Sequence, residues 1–188
     1  EVYFEASPRW ALDQPYQQSA SKGYEADGLL YLKSGSKEQN ILAKQGDDLR
    51  IDWGYFYMVA GKENTAYSVG NSTELRKNFV NGTLNSASLE GEDSNGNMAL
   101  VRSHGKVKNV TDKIMLGYDD IYSIQYFGTN LRPYWNSKGD RTIEAEMLAA
   151  YNEYDKLLAR CYAFDKKLME DASAAGGKEY AELCALAY

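Results

Sequence analysis

The sequence predicts an α+β protein in which an antiparallel β-sandwich is followed by a long helix and the start of a second helix. From Glu1 to about Trp135, short stretches of alternating apolar and polar residues are separated by turn residues, as in a sandwich. From about Arg141, apolar residues recur every three or four positions, which is the period of a helix. We therefore expect two domains, a β-sandwich over residues 1–135 and a helical hairpin over residues 136–188.

The first strands are predicted from alternation and from short apolar runs. Residues 1–6 alternate, residues 28–33 form an apolar run, and residues 49–60 segregate into two faces with a two-residue period. One face of the 49–60 segment carries Ile51, Trp53 and Tyr55. The other face is also apolar towards its end, so a strand covered on both sides is expected there.

The middle of the chain predicts one short helix, a loop and two further β segments. The segment Ser72–Val80 has helical spacing, with Ser72 or Thr73 as its cap and Asn81-Gly82 as its end. Residues 85–97 are rich in Ser, Asn, Gly and acids and predict an exposed loop. Residues 98–102 and 112–127 predict strands, with a bulge or turn at Asp119-Asp120.

The last quarter of the chain predicts two helices separated by glycines. Thr142 is the expected N-cap, no Gly or Pro interrupts residues 142–175, and Gly176-Gly177 breaks the pattern before residues 178–188 resume it. The spacing of Cys161 and Cys184 around that break predicts two buried thiols and no disulfide. A strand pattern at the first residues and a helical pattern up to the last ones predict that the chain is a segment of a longer protein.

Composition excludes several classes of partner. The net charge is −6 and the pI is about 4.9, which argues against binding nucleic acid or an anionic membrane surface. No apolar run reaches the length of about 20 residues that a membrane span needs. Motifs for zinc proteases, phosphate loops and dinucleotide folds are missing, so neither a cofactor nor a metal is predicted. The single histidine, His104, is expected at the surface.

The acidic residues are the candidates for chemistry. Asp52 lies at the start of a predicted strand, and Asp119 and Asp120 lie inside an aromatic segment. Carboxylates with different environments can act as acid and base. The structural alternatives are an ion pair between Asp52 and Arg50, and a buried Asp120 held by Arg132 or by backbone N–H groups.

Three segments together resemble the glutaminase A family. They are Val2-Tyr3-Phe4-Glu5-Ala6-Ser7, Asp47-Asp48-Leu49-Arg50-Ile51-Asp52-Trp53-Gly54-Tyr55, and Tyr118-Asp119-Asp120-Ile121-Tyr122-Ser123-Ile124-Gln125-Tyr126-Phe127 continuing to Leu131-Arg132-Pro133-Tyr134-Trp135. Residues 142–188 resemble the first helical hairpin of the toroid domain that follows in that family.

The resemblance implies an extracellular or periplasmic amidohydrolase that converts L-glutamine into L-glutamate and ammonia. It implies a β-sandwich lacking its first portion, and an α/α toroid whose remainder would be the partner of the helical hairpin. Asp119 and Asp120, near the junction of the two domains, are the candidate catalytic residues. Asp52, Trp53, Arg132 and Trp135 are the candidate binding residues. No nucleophile–base pair is evident, so the segment alone is expected to be inactive.

Two other functions fit the same pattern. A β-sandwich followed by a helical toroid also occurs in carbohydrate-active enzymes, and aromatic faces suit stacking on sugars. The alternative without chemistry is a structural domain that supports the toroid and binds nothing itself.

Overall fold

The computed structural model describes residues 1–46, 51–86 and 88–187 and confirms the α+β class. The chain divides into two compact units, Glu1–Met147 and Leu148–Tyr188. The first unit holds antiparallel sheets and the second is helical. The boundary that the sequence predicts, after residue 135, stays a prediction.

The described residues form ten strands and two α-helical segments. The strands are β1 (Val2–Ala6), β2 (Ser19–Ala26), β3 (Leu29–Ser36), β4 (Tyr55–Gly61), β5 (Thr65–Gly70), β6 (Glu90–Glu92), β7 (Asn97–Arg102), β8 (Ile114–Asp119), β9 (Ile124–Tyr126) and β10 (Thr129–Leu131). The helical segments are α1 (Ser72–Val80) and α2 (Ile143–Ala187), and short 3₁₀ turns occur at Pro8–Ala11, Asp93–Asn95 and Tyr134–Asn136.

Two antiparallel sheets form the body of the first unit. One has the strand order β1-β7-β5 and the other has the order β6-β2-β3-β4-β8, while β9 and β10 pair as a separate hairpin. Apolar side chains from both sheets meet in one buried cluster that includes Leu30, Phe56, Met98 and Leu100. A core shared by two sheets in this way is the arrangement of a sandwich.

The predicted strands are confirmed in their central parts and corrected at two ends. Residues 1–6, 28–33 and 98–102 correspond to β1, β3 and β7. The strand predicted over 49–60 begins only at Tyr55, and residues 47–50 lie outside the described residues. Gly54 has a positive φ of 82°, so extended pairing cannot continue upstream through it.

The β segment predicted over 112–127 divides where the two acids lie. Strand β8 ends at Asp119, and Ile121 adopts a φ of 59° before β9 begins at Ile124. A β-branched residue in this left-handed region ends the strand pairing. The predicted bulge or turn is therefore a turn between two strands.

Helix α1 has the predicted bounds and a different cap. The side chain of Asn71, not that of Ser72 or Thr73, accepts the Thr73 backbone N–H at 3.0 Å. Gly82, with a φ of 66°, follows the last turn as expected. The predicted loop over 85–97 is wrong in part, because β6 pairs there with β2.

Helix α2 begins after Thr142, whose Oγ1 accepts the Ala145 backbone N–H at 3.2 Å. It is interrupted at Gly177, where φ is 82° and ψ is −175°, so the predicted break is confirmed. Cys161 is exposed and Cys184 is half-buried, and both are free thiols. The expectation of two buried thiols is therefore wrong. None of the helices in the described residues has an apolar stretch suited to crossing a bilayer.

Candidate functional site

A cleft with a volume of about 390 Å³ opens where β4 begins and β8 ends. Its size lies within the range of small-molecule sites. It is lined by aromatic and apolar side chains and two carboxylates, from Trp10, Ala11, Leu12, Ile51, Trp53, Tyr55, Tyr118, Asp119, Asp120, Pro133 and Trp135. All three tryptophans of the sequence are in this lining.

The floor of the cleft is fixed by the indole of Trp53. Its Nε1–H donates to the carbonyl oxygens of Asp120 at 2.7 Å and Tyr122 at 2.9 Å. The ring is buried, with 8% of its surface exposed. These bonds join the segment before β4 to the turn after β8, and a buried N–H that is paired in this way stabilises both.

Gly54 allows those two segments to approach closely. A Cβ at this position would lie 2.8 Å from the Cα of Asp120 and closer still to the carbonyl oxygen of Asp119. The backbone is held from the other side by Gln39, whose Oε1 accepts the Gly54 N–H at 2.6 Å. Trp53 therefore binds the turn that carries Asp119 and Asp120 through its indole N–H, and Gly54 allows this turn to approach because it has no side chain.

The two carboxylates are placed by a tight turn. The Oδ1 of Asp119 accepts the backbone N–H of Ile121 at 3.0 Å, as in an Asx-turn. The carboxylate of Asp120 has no hydrogen bond or ion pair within the described part of the chain. Both residues are half-buried. A ligand in the cleft would therefore contact the hydrogen-bonded carboxylate of Asp119 and the carboxylate of Asp120, which is unpaired in the described structure.

The remaining walls come from two short 3₁₀ turns. Ser7 caps the first with its Oγ, which accepts the Arg9 N–H at 3.2 Å, and this turn places the Trp10 ring 5.3 Å from the ring of Phe56. Phe56 in turn lies 5.2 Å from Tyr118. Trp135 belongs to the second turn, which follows Pro133. Burial raises the pKa of the Tyr118 hydroxyl, which therefore stays protonated at neutral pH.

Two predicted site residues do not line the cleft. Asp52 is buried beside the cleft's floor, and its Oδ2 lies 2.8 Å from the Lys44 ammonium. That ammonium also contacts Asp13 at 3.1 Å. The Oδ1 of Asp52 has no hydrogen-bond partner among the described residues. The alternative pairing with Arg50 involves a residue outside the described ranges.

Arg132 is engaged with an aromatic ring instead of an acid. Its guanidinium lies 4.8 Å from the centre of the Tyr122 ring, and an Nη2–H donates to the Tyr122 hydroxyl at 3.4 Å. It forms no ion pair with Asp120 in the described structure. The expectation that Arg132 or backbone N–H groups hold Asp120 is therefore wrong. The guanidinium is supported by the same turn that carries the acids.

His104 lies away from the cleft and is less exposed than expected. Its Nε2 is 3.3 Å from the Oδ2 of Asp112, and 16% of its side chain is exposed. Arg102 binds the same carboxylate at 2.6 Å. Arg102, His104 and Asp112 together hold the segment after β7 against the start of β8. Within the described ranges, no cluster of three or more His, Cys, Asp or Glu side chains is arranged for a metal ion.

The structure brings Trp53, Asp119, Asp120 and Trp135 together and adds residues that the sequence did not indicate. Tyr55 and Tyr118 could have been found from the pairing of β4 with β8, which places Tyr55 opposite Asp119. No strand pairing predicts the position of Trp10, because it reaches the cleft through a 3₁₀ turn and through its contact with Phe56.

The fold and the cleft define an α+β protein with a β-sandwich that carries an aromatic, carboxylate-bearing cleft and is followed by a long helix and a short one. The chain belongs to the protein family described as "Domain of unknown function (DUF5127)", whose profile matches residues 1–171. Comparison with curated proteins gives no significant match. Comparison with solved structures also gives none.

Proposed function

We propose that this chain is the β-sandwich and first helical hairpin of a secreted glutaminase-type amidohydrolase, and that the cleft binds the substrate glutamine. The observation that best supports the proposal is that Trp53, the adjacent Asp119 and Asp120, and Trp135 line one cleft, although Trp53 is distant from the others in the sequence. They belong to segments that resemble glutaminase A. The family profile carries no activity, so glutamine hydrolysis rests on that resemblance and on the chemistry of the cleft.

The cleft suits a small zwitterion with a short aliphatic stem. The carboxylates of Asp119 and Asp120 could pair with an α-ammonium, and the aromatic walls could pack on the methylene groups. Arg132 would have to leave the Tyr122 ring to reach an α-carboxylate, because it does not line the cleft. Binding is therefore assigned first to the two acids and the tryptophans.

Catalysis by this chain alone is not part of the proposal. Amide hydrolysis needs an activated nucleophile, an oxyanion stabiliser and an acid for the leaving group. No nucleophile–base pair lines the cleft among the described residues. The remainder of a helical toroid is the partner that would complete the site, and the compartment would be extracellular or periplasmic.

Tryptophan fluorescence provides a direct binding test, because every tryptophan of the sequence lies in the cleft. Glutamine should change the emission saturably. Asp119→Asn and Asp120→Asn should each weaken binding about tenfold, as expected for losing a charge-assisted hydrogen bond. Asp155→Asn, in the exposed part of α2, is the matched control. Emission that does not respond to glutamine would refute the assignment of the cleft.

Activity is tested separately by ammonia release. The 188-residue chain should release no ammonia from glutamine, while a longer natural protein containing it should do so. Turnover by the chain alone would contradict the absence of catalytic machinery. A longer protein without glutaminase activity would contradict the proposed reaction.

A carbohydrate ligand is the second candidate, favoured by one observation. Trp10, Trp53 and Trp135 all line the cleft, and aromatic faces stack well on sugar rings. Adding oligosaccharides in place of glutamine to the fluorescence titration separates the two ligands. A response to oligosaccharides alone would favour a carbohydrate-active enzyme. If neither ligand binds and the Asp variants change only stability, the structural-domain alternative is favoured.

A further inference from the structure

We propose a second site, for an oxyanion of a small molecule, between Lys22 and Lys33 on the outer face of the five-stranded sheet. The two lysines face each other directly in the pairing of β2 with β3. Like charges directly opposite each other destabilise a sheet. The two lysines do not line the cleft described above, although Tyr55 lines both hollows, and the proposed site does not depend on glutamine as the ligand of the cleft.

The lysine pair lines a hollow with a volume of about 340 Å³. The rest of its lining consists of the small residues Ala20, Ser21 and Gly91, the Tyr55 ring, and two carboxylates, Glu90 and Glu92. In the neighbouring row of the same sheet face, Gly35 lies opposite Ala20. A Cβ at Gly35 would come within 2.5 Å of the Tyr55 ring, so this ring lies flat against the strand.

Lys33 is held in place without a carboxylate. Its ammonium lies 3.5 Å from the centre of the Tyr55 ring and 5.4 Å from that of Tyr57, an attraction between a cation and aromatic faces. Neither Lys22 nor Lys33 forms an ion pair within the described residues. Burial, followed by repulsion from Lys22, lowers the pKa of Lys33, and the nearby carboxylates of Glu144 and Asp119 offset this only in part. A bound anion would relieve that repulsion.

Glu90 and Glu92 also line the hollow, and within the described residues neither forms an ion pair with Lys22 or Lys33. Glu92 is already paired with Lys37 at 2.5 Å. Glu90 lies opposite Lys22 on the far side from Lys33. The Lys22 ammonium lies 5.3 Å from the centre of the Tyr24 ring. An oxyanion would draw it from that ring towards Lys33 and bridge the two ammonium groups by charge-assisted hydrogen bonds. Carboxylates and phosphates share this chemistry.

Lysine side-chain NMR tests the proposal on the whole chain. Sodium acetate and sodium phosphate are titrated separately at constant ionic strength, and the ε-carbon signals of Lys22, Lys33 and Lys108 are followed. We expect a saturable shift at Lys22 and Lys33 with at least one anion, and none at Lys108, which is exposed on a loop. Saturation by acetate identifies a carboxylate ligand, and saturation by phosphate identifies a phosphate ligand.

Two variants give the expected loss of binding. Lys22→Met, at an exposed position, should weaken anion binding about tenfold and leave the fold intact. Lys33→Arg keeps the positive charge and should retain anion binding. This result would show that binding depends on the charge at position 33 and not on the shape of the lysine side chain. Lys108→Met should bind as the unmodified chain does. Asp120→Asn should also leave anion binding unchanged, so this site and the glutamine cleft can fail independently. Linear, equal shifts at Lys33 and Lys108, or unchanged binding by Lys22→Met, would overturn the proposal.

Discussion

At the scale of single residues, the candidate cleft depends on a few backbone positions more than on its polar side chains. Gly54 gives the turn of Asp119 and Asp120 the room it needs, and Trp53 bonds two carbonyl oxygens of that turn. The carboxylates would move if either residue changed. Gly54, which has a positive φ and no space for a side chain, is therefore part of the site, although it has no functional group that could contact a ligand.

Replacing Gly54 by alanine should destabilise the first unit by more than about 2 kcal/mol, since a left-handed backbone strains an alanine and its Cβ has no room. Gly105→Ala is the matched control, because Gly105 has a φ of 63° and no atom lies within 4 Å of the place that an added Cβ would take. The control should cost about 1 kcal/mol. Urea unfolding followed by tryptophan fluorescence measures both. Equal losses would show that crowding at Gly54 contributes nothing.

At the scale of elements, the sequence pattern predicted the strands and helices in which the local spacing of apolar residues matches the face that is buried in the fold. Strands β1, β3 and β7 and both helical segments were found because alternation or helical spacing runs through them. β2, with the sequence Ser-Ala-Ser-Lys-Gly-Tyr-Glu-Ala, was missed because small and polar residues occur on both of its faces, so that apolar and polar residues do not alternate. Its place is set by pairing with β3 and β6, which no local pattern reveals.

The same difference explains which parts of the site were predicted. Trp53, Asp119, Asp120 and Trp135 were predicted from their residue type and from the aromatic segments that contain them. The structure places all four in one cleft. Arg132 has the right charge, but its guanidinium stacks on Tyr122. Sequence gives the type of a side chain, while its direction is decided by neighbours that are distant in the chain.

The cap of α1 provides a test at this scale. Asn71→Ala removes the acceptor of the Thr73 N–H and should cost about 1 kcal/mol. Asn81→Ala, at the other end of the helix and in the right-handed region with a φ of −82°, should cost less because that side chain has no capping role. Urea unfolding of both variants measures the difference. A larger loss for Asn81→Ala would show that the cap is assigned to the wrong end.

At the scale of the whole molecule, the sandwich is held by a core that both sheets share. Leu100 of β7 and Phe56 of β4 are fully buried in one cluster. Leu100→Ala should therefore cost about 2–5 kcal/mol, the usual range for a large core residue that leaves a cavity. Leu116→Ala, at an exposed position on β8 in the same unit, should change stability by less than about 0.5 kcal/mol. Tryptophan fluorescence reports the first unit alone, because all three tryptophans lie in it.

Glu5 is one of the carboxyl groups expected to contribute to the pH dependence of stability. Burial of this carboxyl would raise its pKa, but hydrogen bonds from Arg76, Ser72 and Tyr3 outweigh burial and lower the pKa below its ordinary value of 4.5. Ser72 donates to Glu5 at 2.5 Å and Arg76 at 2.7 Å, so the ionised carboxylate joins β1 to α1. A lowered pKa means that the contribution is complete above pH 4.5 and is lost as the pH falls through the folded-state pKa.

Glu5→Gln should therefore be less stable than the unmodified chain near pH 7, by about 1–3 kcal/mol. The difference should shrink as the pH falls below 4.5, because the unmodified chain then loses the same charge. Glu153→Gln, at an exposed position on α2, should follow the unmodified chain at every pH. Urea unfolding at a series of pH values measures all three proteins. A difference that stayed constant or grew in acid would mean that Glu5 acts through packing and not through its charge.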